Sequence, residues 1–375
     1  MRSRPDTTDI LIIGGGPAGL AAGLAARQKG FRVTVADGAE PPVDKACGEG
    51  LMPDGVEAIR QLGVRIDSTG GFRLRGIRFL EHQTDVEASF PCGWGLGMRR
   101  IALHRLLLER AAEAGVAFLW RAPATGLHPE GVSFGPRLVR ASWIVGADGG
   151  SSLVRRWAGL DRCRTHSFRF GFRRHFRILP WTDCVEVYWG SGCQIYLTPV
   201  SREEVCVVLI SRSEKLRLED VLPRFPELES RLRGAEATTP ERGAVSASFV
   251  LKRVYQGRVA LVGDASGGVD AVSGEGLSMS FQQAQALAAA LAAGDLSLYQ
   301  RAHRRLARRP LLMTALMLSL DRFPAMRPRV LRALSANPAI FARMVAAHVG
   351  SLRAPEFIRQ GMLPLAFQML KGSIP

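Results

Sequence analysis

The chain has 375 residues, 47% hydrophobic and 22% charged, which excludes a disordered or fibrous protein and leaves room for about two domains of roughly 150 residues. Its net charge of +16 comes from 50 Lys and Arg against 34 Asp and Glu. Only five of those cations are lysine, and the arginines are scattered apart from a denser stretch over 301–309, so no basic stripe marks a nucleic-acid surface.

No segment reaches the roughly 18–20 consecutive apolar residues of a bilayer span. The N-terminus lacks the apolar core and cleavage site of a secretory signal, so a cytoplasmic location is expected. The six cysteines include no CxxC and no metal spacing; free thiols and no metal are expected.

In chain order, Asp9–Ile13 is an apolar run ending in Gly14-Gly15-Gly16-Pro17-Ala18-Gly19. An Ala/Leu-rich helix follows to about Gln28, stopped by Gly30, and Arg32–Ala36 reads as a second strand closing on Asp37. Strand, glycine turn, helix, strand and acid together form the βαβ unit that binds dinucleotides. Gly14 permits the tight turn, Gly16 lets the backbone approach a pyrophosphate, and Gly19 lets the helix pack closely. The helix start at Pro17-Ala18 turns its positive end to that phosphate, and Asp37 can accept from ribose hydroxyls.

Short strands fill 64–94, followed by an amphipathic helix over Ala102–Ala114. Trp143–Val145 is a strand running into Gly146-Ala147-Asp148-Gly149. From Phe168 to Phe249 the pattern alternates, with Phe168, Phe170, Phe172 and Phe176 near period two. Val259–Val262 ends in Gly263-Asp264, Gly276 opens a long helix to about Gly294, and the last eighty residues are helical, basic and broken by prolines. The expected fold is α/β. A Rossmann-like dinucleotide domain is assembled from 1–62, 98–160 and 250–298; a mostly antiparallel β-sheet substrate domain takes 63–97 and 161–249; C-terminal helices occupy 299–375. No second GxGxxG unit offers a dedicated nicotinamide domain.

Two later motifs, GADGGSSLVRR (Gly146–Arg156) and RVALVGDASGGVDAVSGEGLSMS (Arg258–Ser280), join the first in a pattern spanning roughly Asp9 to Gly294. It resembles FAD-dependent oxidoreductases with the p-hydroxybenzoate hydroxylase-like fold, the group of class A flavin monooxygenases, geranylgeranyl reductases and flavin halogenases. The resemblance implies FAD as cofactor, with NAD(P)H as a co-substrate docking transiently in a groove. It implies Arg100 as a flavin-contacting arginine and Asp264 as a partner of the ribityl chain. Gly274-Glu275-Gly276 would lead the helix whose N-terminus stabilises the reduced flavin's charge. Asp148 and Gly149 would support the turn between the FAD and NAD(P)H approaches, a helix-capping role being the plainer reading of Asp148.

Halogenases of this group carry an active-site lysine and a WxWxIP motif. This chain has no lysine between Lys45 and Lys215, and its six tryptophans never fall two apart. Gly274-Glu275-Gly276 and Cys47-Gly48-Glu49-Gly50 resemble the reductases, whose Tyr-x-Trp element shrinks here to Tyr196 and Pro199. The expected activity is an NAD(P)H- and O2-dependent monooxygenase of secondary metabolism, hydroxylating an aromatic or polyketide/quinone-like small molecule through a C4a-hydroperoxyflavin. The alternative is reduction of C=C bonds in an isoprenoid or other lipidic substrate.

His175, beside Arg173 and Arg177 on one strand, is the candidate base, with an exposed strand histidine as the plainer reading. Cys47 borders the flavin or packs its loop, and Tyr196 with Gln194 lines the pocket. Pro310–Leu320 touches a membrane surface, admits a greasy substrate or packs on the FAD domain.

Overall fold

The computed structural model describes residues 6–66 and 70–371, the side chains at 163–166 and 370–371 apart. Strand β1 (Thr7–Ile13) leads through the glycine turn into α1 (Pro17–Gln28), with proline in its first turn where no N–H is needed, and on to β2 (Val33–Ala36). Helix α2 (Pro53–Gln61) precedes the hairpin of β3 (Gly76–Glu81) and β4 (Thr84–Ser89). Next come α3 (Arg100–Glu113), β5 (Ala117–Leu119) and β6 (Arg137–Gly146).

A run of strands follows: β7 (Cys163–Arg177), β8 (Cys184–Trp189), β9 (Cys193–Pro199), β10 (Glu204–Ser211), β11 (Arg242–Leu251) and β12 (Val259–Leu261). The chain closes with α4 (Gly276–Ala292), α5 (Leu296–Arg322), α6 (Arg327–Ala336), α7 (Pro338–His348) and α8 (Leu363–Lys371).

Parallel strands run in the order β12–β6–β1–β2–β5, and α1 packs against both α3 and α4. β1 from Ile10 onward and all of β2 are buried, as strands covered on both faces must be. A second sheet runs β7–β10–β9–β8–β3–β4 with β11 on the other edge of β7; every pair is antiparallel except β3 with β8. This is the α/β class that the motifs implied.

Helices α6 and α7 cover the β4 end of the second sheet. Phe79 meets Trp189 and Phe341 there, with ring centroids 5.7 and 4.9 Å apart. Three buried ion pairs, two of them sharing Arg169, tie the helices down. Arg169 of β7 lies 3.3 Å from Asp270 and 2.9 Å from Asp321 of α5, and Arg327 of α6 lies 2.6 Å from Glu81. Removing one partner of such a pair strands a charge in the interior, at about 3–5 kcal/mol.

Of the readings of Pro310–Leu320, the packing favours the apolar wall of a cavity, which Met313, Leu316, Met317 and Leu320 line. The segment is the middle of α5, with Pro310, Met313 and Thr314 buried. Among the described residues no helix is long and apolar enough to cross a membrane. Cys47, Cys92, Cys184, Cys193 and Cys206 carry free thiols.

Candidate active site

The glycine turn divides its work between packing and openness. Gly14 has φ +113°, and a Cβ there would stand 2.3 Å from the Ala147 carbonyl oxygen. At Gly19 a Cβ would stand 1.9 Å from the Gly14 oxygen. A Cβ at Gly16 would meet nothing within 4 Å, because that face opens on a cavity of about 1010 Å³. Gly14, Gly16, Pro17, Ala18, Asp37, Arg100, Asp148, Asp264 and Gly274-Glu275-Gly276 all line this cavity, while Gly19 packs behind it.

Their polar atoms are spent unevenly. Asp37 accepts the Gly15 and Ala39 N–H groups at 2.6 and 2.8 Å and keeps further lone pairs. His104 of α3, fully buried and held neutral by desolvation, donates its Nε2–H to the Gly15 carbonyl at 2.8 Å. Asp148 takes the Ser152 hydroxyl and the Leu153 and Val154 N–H groups, so it caps the short helix Leu153–Trp157.

Asp264, half exposed, meets Lys45 at 3.2 Å across the crevice. Arg100 donates its N–H to Glu49 at 3.1 Å, while its buried Nε has no partner. The N-termini of α1 and α4, at Pro17 and Gly276, both reach the cavity wall and bring positive dipole ends. An open glycine face, two helix starts and an unmatched guanidinium N–H suit an anionic dinucleotide.

The FAD binding domain family profile matches residues 7–295. The chain is an FAD-dependent oxidoreductase of that family. This flavoenzyme is 27% identical over 319 residues to the menaquinone reductase of Mycobacterium tuberculosis, covering 78% of each chain. It is 28% identical to the digeranylgeranylglycerophospholipid reductase of Thermoplasma volcanium, covering 73% of this chain and 75% of that one. Among solved structures it resembles a flavoprotein/dehydrogenase of Cytophaga hutchinsonii (TM-score 0.83, 17% identity, 97% and 100% covered). It also resembles the flavin-dependent brominase Bmp2 (TM-score 0.78, 19% identity, 97% and 98% covered). At those identities the structural likeness speaks for the fold.

Beyond the flavin crevice the cavity of this enzyme continues between the second sheet and the C-terminal helices. Ile77, Phe79, Val185, Val187, Val208 and Ile210 form one wall, and Met313, Leu316, Met317, Leu320, Phe341, Met344 and Val345 the other. Tyr196 also lines it, donating its hydroxyl to the Val272 carbonyl at 2.8 Å, and burial pushes its phenol well up. Gln194, expected beside it, is buried off the wall.

Glu275 and His348 are two titratable groups near this apolar end. Glu275 is 1% exposed, 3.1 Å from the Arg309 guanidinium and 3.8 Å from His348 Nδ1. Arg309 is shared with Asp54, and its approach to Glu275 is out of line, so neither carboxylate oxygen gains a true hydrogen bond. Burial pushes the Glu275 carboxyl up to about 8 despite Arg309 beside it. Burial, then the Arg309 charge, push His348 down to about 4. At neutral pH the pair is a protonated carboxyl beside a neutral imidazole.

His175 is neither exposed nor on the cavity wall, which corrects the exposed-strand reading. Its Nε2 lies 2.6 Å from Glu49 and its Nδ1 2.9 Å from Thr239. Glu49 also takes Arg173 at 3.0 Å, and Arg173 reaches on to Asp44 at 2.9 Å. Glu49, His175 and Cys206 bring their donor atoms within 4.8 Å of one another. With the Glu49 carboxylate already engaged by the Arg173 guanidinium and by His175 Nε2, the group is a buried polar cluster behind the flavin loop. Cys47 stands on the cavity wall, its Sγ accepting the Glu49 N–H at 3.4 Å.

Proposed function

We propose that this enzyme reduces carbon–carbon double bonds in an isoprenoid or similar lipidic substrate, with NAD(P)H as the family's usual electron donor. The observation that carries this reading is the apolar chamber between the second sheet and helices α5 and α7, continuous with the flavin crevice. Burying a polyene chain there releases about 25 cal/mol for each Å² of apolar surface, whereas a small phenol would leave much of the wall unfilled. The relatives named as reductases of menaquinone and of a digeranylgeranyl lipid point the same way.

FAD, when bound, supplies two-electron hydride chemistry. The chain supplies the rest. Gly16, Arg100 and the helix starts at Pro17 and Gly276 hold and orient the cofactor. The Met, Leu and Phe side chains of α5 and α7 exclude water and align the chain. Glu275 holds a proton on its carboxyl at the chamber edge, available to the carbon that hydride does not take.

The hydroxylase expected from the motifs calls for a base at the substrate ring, and His175, offered for that role, stands behind Glu49 and off the wall. Anaerobic incubation with reduced nicotinamide and isoprenoid lipids, read by mass spectrometry, tests the proposal. Gain of two hydrogens is expected. Incorporation of 18O-labelled oxygen, with no hydrogenated product, would restore the hydroxylase.

A further inference from the structure

We propose that the C-terminal helices dock this enzyme on an anionic phospholipid surface. The lipidic-substrate reading above gives the docking its purpose, and the physical basis is separate from it.

After the short helix Ala354–Phe357 the chain makes a π turn, Ile358–Met362, and continues as α8. Ile358, Leu363 and Phe367 therefore recur at about one-turn spacing on one face. Phe357, Leu365 and Met369 point the other way, into the helical core. The outward face should then be polar, and it is not. Ile358 is 47% exposed, Leu363 and Phe367 60% each, and Phe323 and Met326, where α5 turns into α6, about half. α8 packs directly on α6, so both apolar groups belong to one helical layer.

Charge says what covers that face. Residues 322–375 hold eight Arg and Lys and a single acid, Glu356, which takes the Arg353 N–H at 3.2 Å. Arg332, Arg353 and Arg359 stand exposed, and Arg322 lies over the Phe323 ring at 5.8 Å. A second copy of this chain would bring like charges together. A leaflet of anionic lipid answers both halves, since apolar side chains enter the acyl boundary while arginines meet phosphates. Met317 and Leu320 of α5 and Phe341 of α7 wall the chamber from within the same layer. Docking there brings the chamber's cover to the source of a greasy substrate.

Holoenzyme sedimented with vesicles of phosphatidylcholine, with or without phosphatidylglycerol, tests the proposal. Partition into the anionic vesicles is expected to be at least about tenfold greater and to fall as salt rises. The L363E/F367E double variant is expected to lose that partition while its FAD content and melting temperature stay unchanged. Equal partition into both vesicle types, or a double variant that binds like wild type, overturns the proposal. So does a wild-type dimer without lipid affinity that the double variant dissolves.

Turnover of a detergent-dispersed isoprenoid, measured alongside, separates the two ideas. Turnover without vesicle binding sinks the docking alone, and vesicle binding without turnover sinks only the reading of the reaction.

Discussion

Replacing Glu275 with glutamine should remove a specific pH dependence of stability. The native carboxyl sits at about 8 and its ordinary value is 4.5, so the folded chain holds this proton more tightly than the unfolded one. A group raised in this sense lowers stability as pH climbs through the interval between the two values. Each tenfold gain in proton affinity corresponds to about 1.4 kcal/mol, and between about pH 6.5 and 8.5 the loss from Glu275 comes to about 2 kcal/mol. The groups facing it are Asp54 of α2, Arg309 of α5 and His348 of α7. His348 acts with the opposite sign and mostly below pH 6.5, since its native value of about 4 lies under its ordinary one. Urea unfolding followed by tryptophan fluorescence at the two pH values, on wild type and E275Q, isolates the contribution of this one carboxyl. An equal fall in both proteins, or a wild type that gains stability with pH, would refute the burial argument.

Gly16→Ala should fold with stability within about 0.5 kcal/mol of wild type, because no protein atom opposes the new Cβ, yet purify with much less flavin. The ratio of flavin to protein absorbance, beside a melting curve of the apoprotein, measures both. Gly19→Ala, forced onto the Gly14 carbonyl, should lose stability and flavin together. Arg169→Leu should cost about 3–5 kcal/mol in urea unfolding, because Asp270 stays buried without its counter-ion while Asp321 keeps only Arg212 at 2.9 Å. Met317→Trp should cut kcat/KM about tenfold on a long isoprenoid chain and spare a short analogue, since overpacking the chamber costs about 1–3 kcal/mol.

What can be read from the sequence is local. Gly14, Gly16, Gly19 and Asp37 announce the dinucleotide turn within thirty residues, and the β-period phenylalanines of β7 announce a sheet, because backbone sterics and side-chain alternation act over short spans. His175 escapes that kind of reading because its partner Glu49 stands 126 positions away, and no periodicity reports that burial. Arg309 reads as one more arginine in a basic helix, yet folding sets it against Asp54, 255 positions earlier, and against Glu275. His104, which holds the Gly15 carbonyl, carries no motif at all; only the seating of α3 beside α1 places it there. The chamber is out of reach for the same reason, since its two walls are joined by tertiary packing alone.

Helix α5 is fastened at its middle, by Arg309 to Asp54 and Glu275, and at its C-terminal end, by Asp321 to Arg169. A ceiling pinned twice cannot hinge open like a clamshell. A lipidic guest of the kind proposed would thread in lengthwise, as a cord passes an eyelet, and be sorted by girth before length.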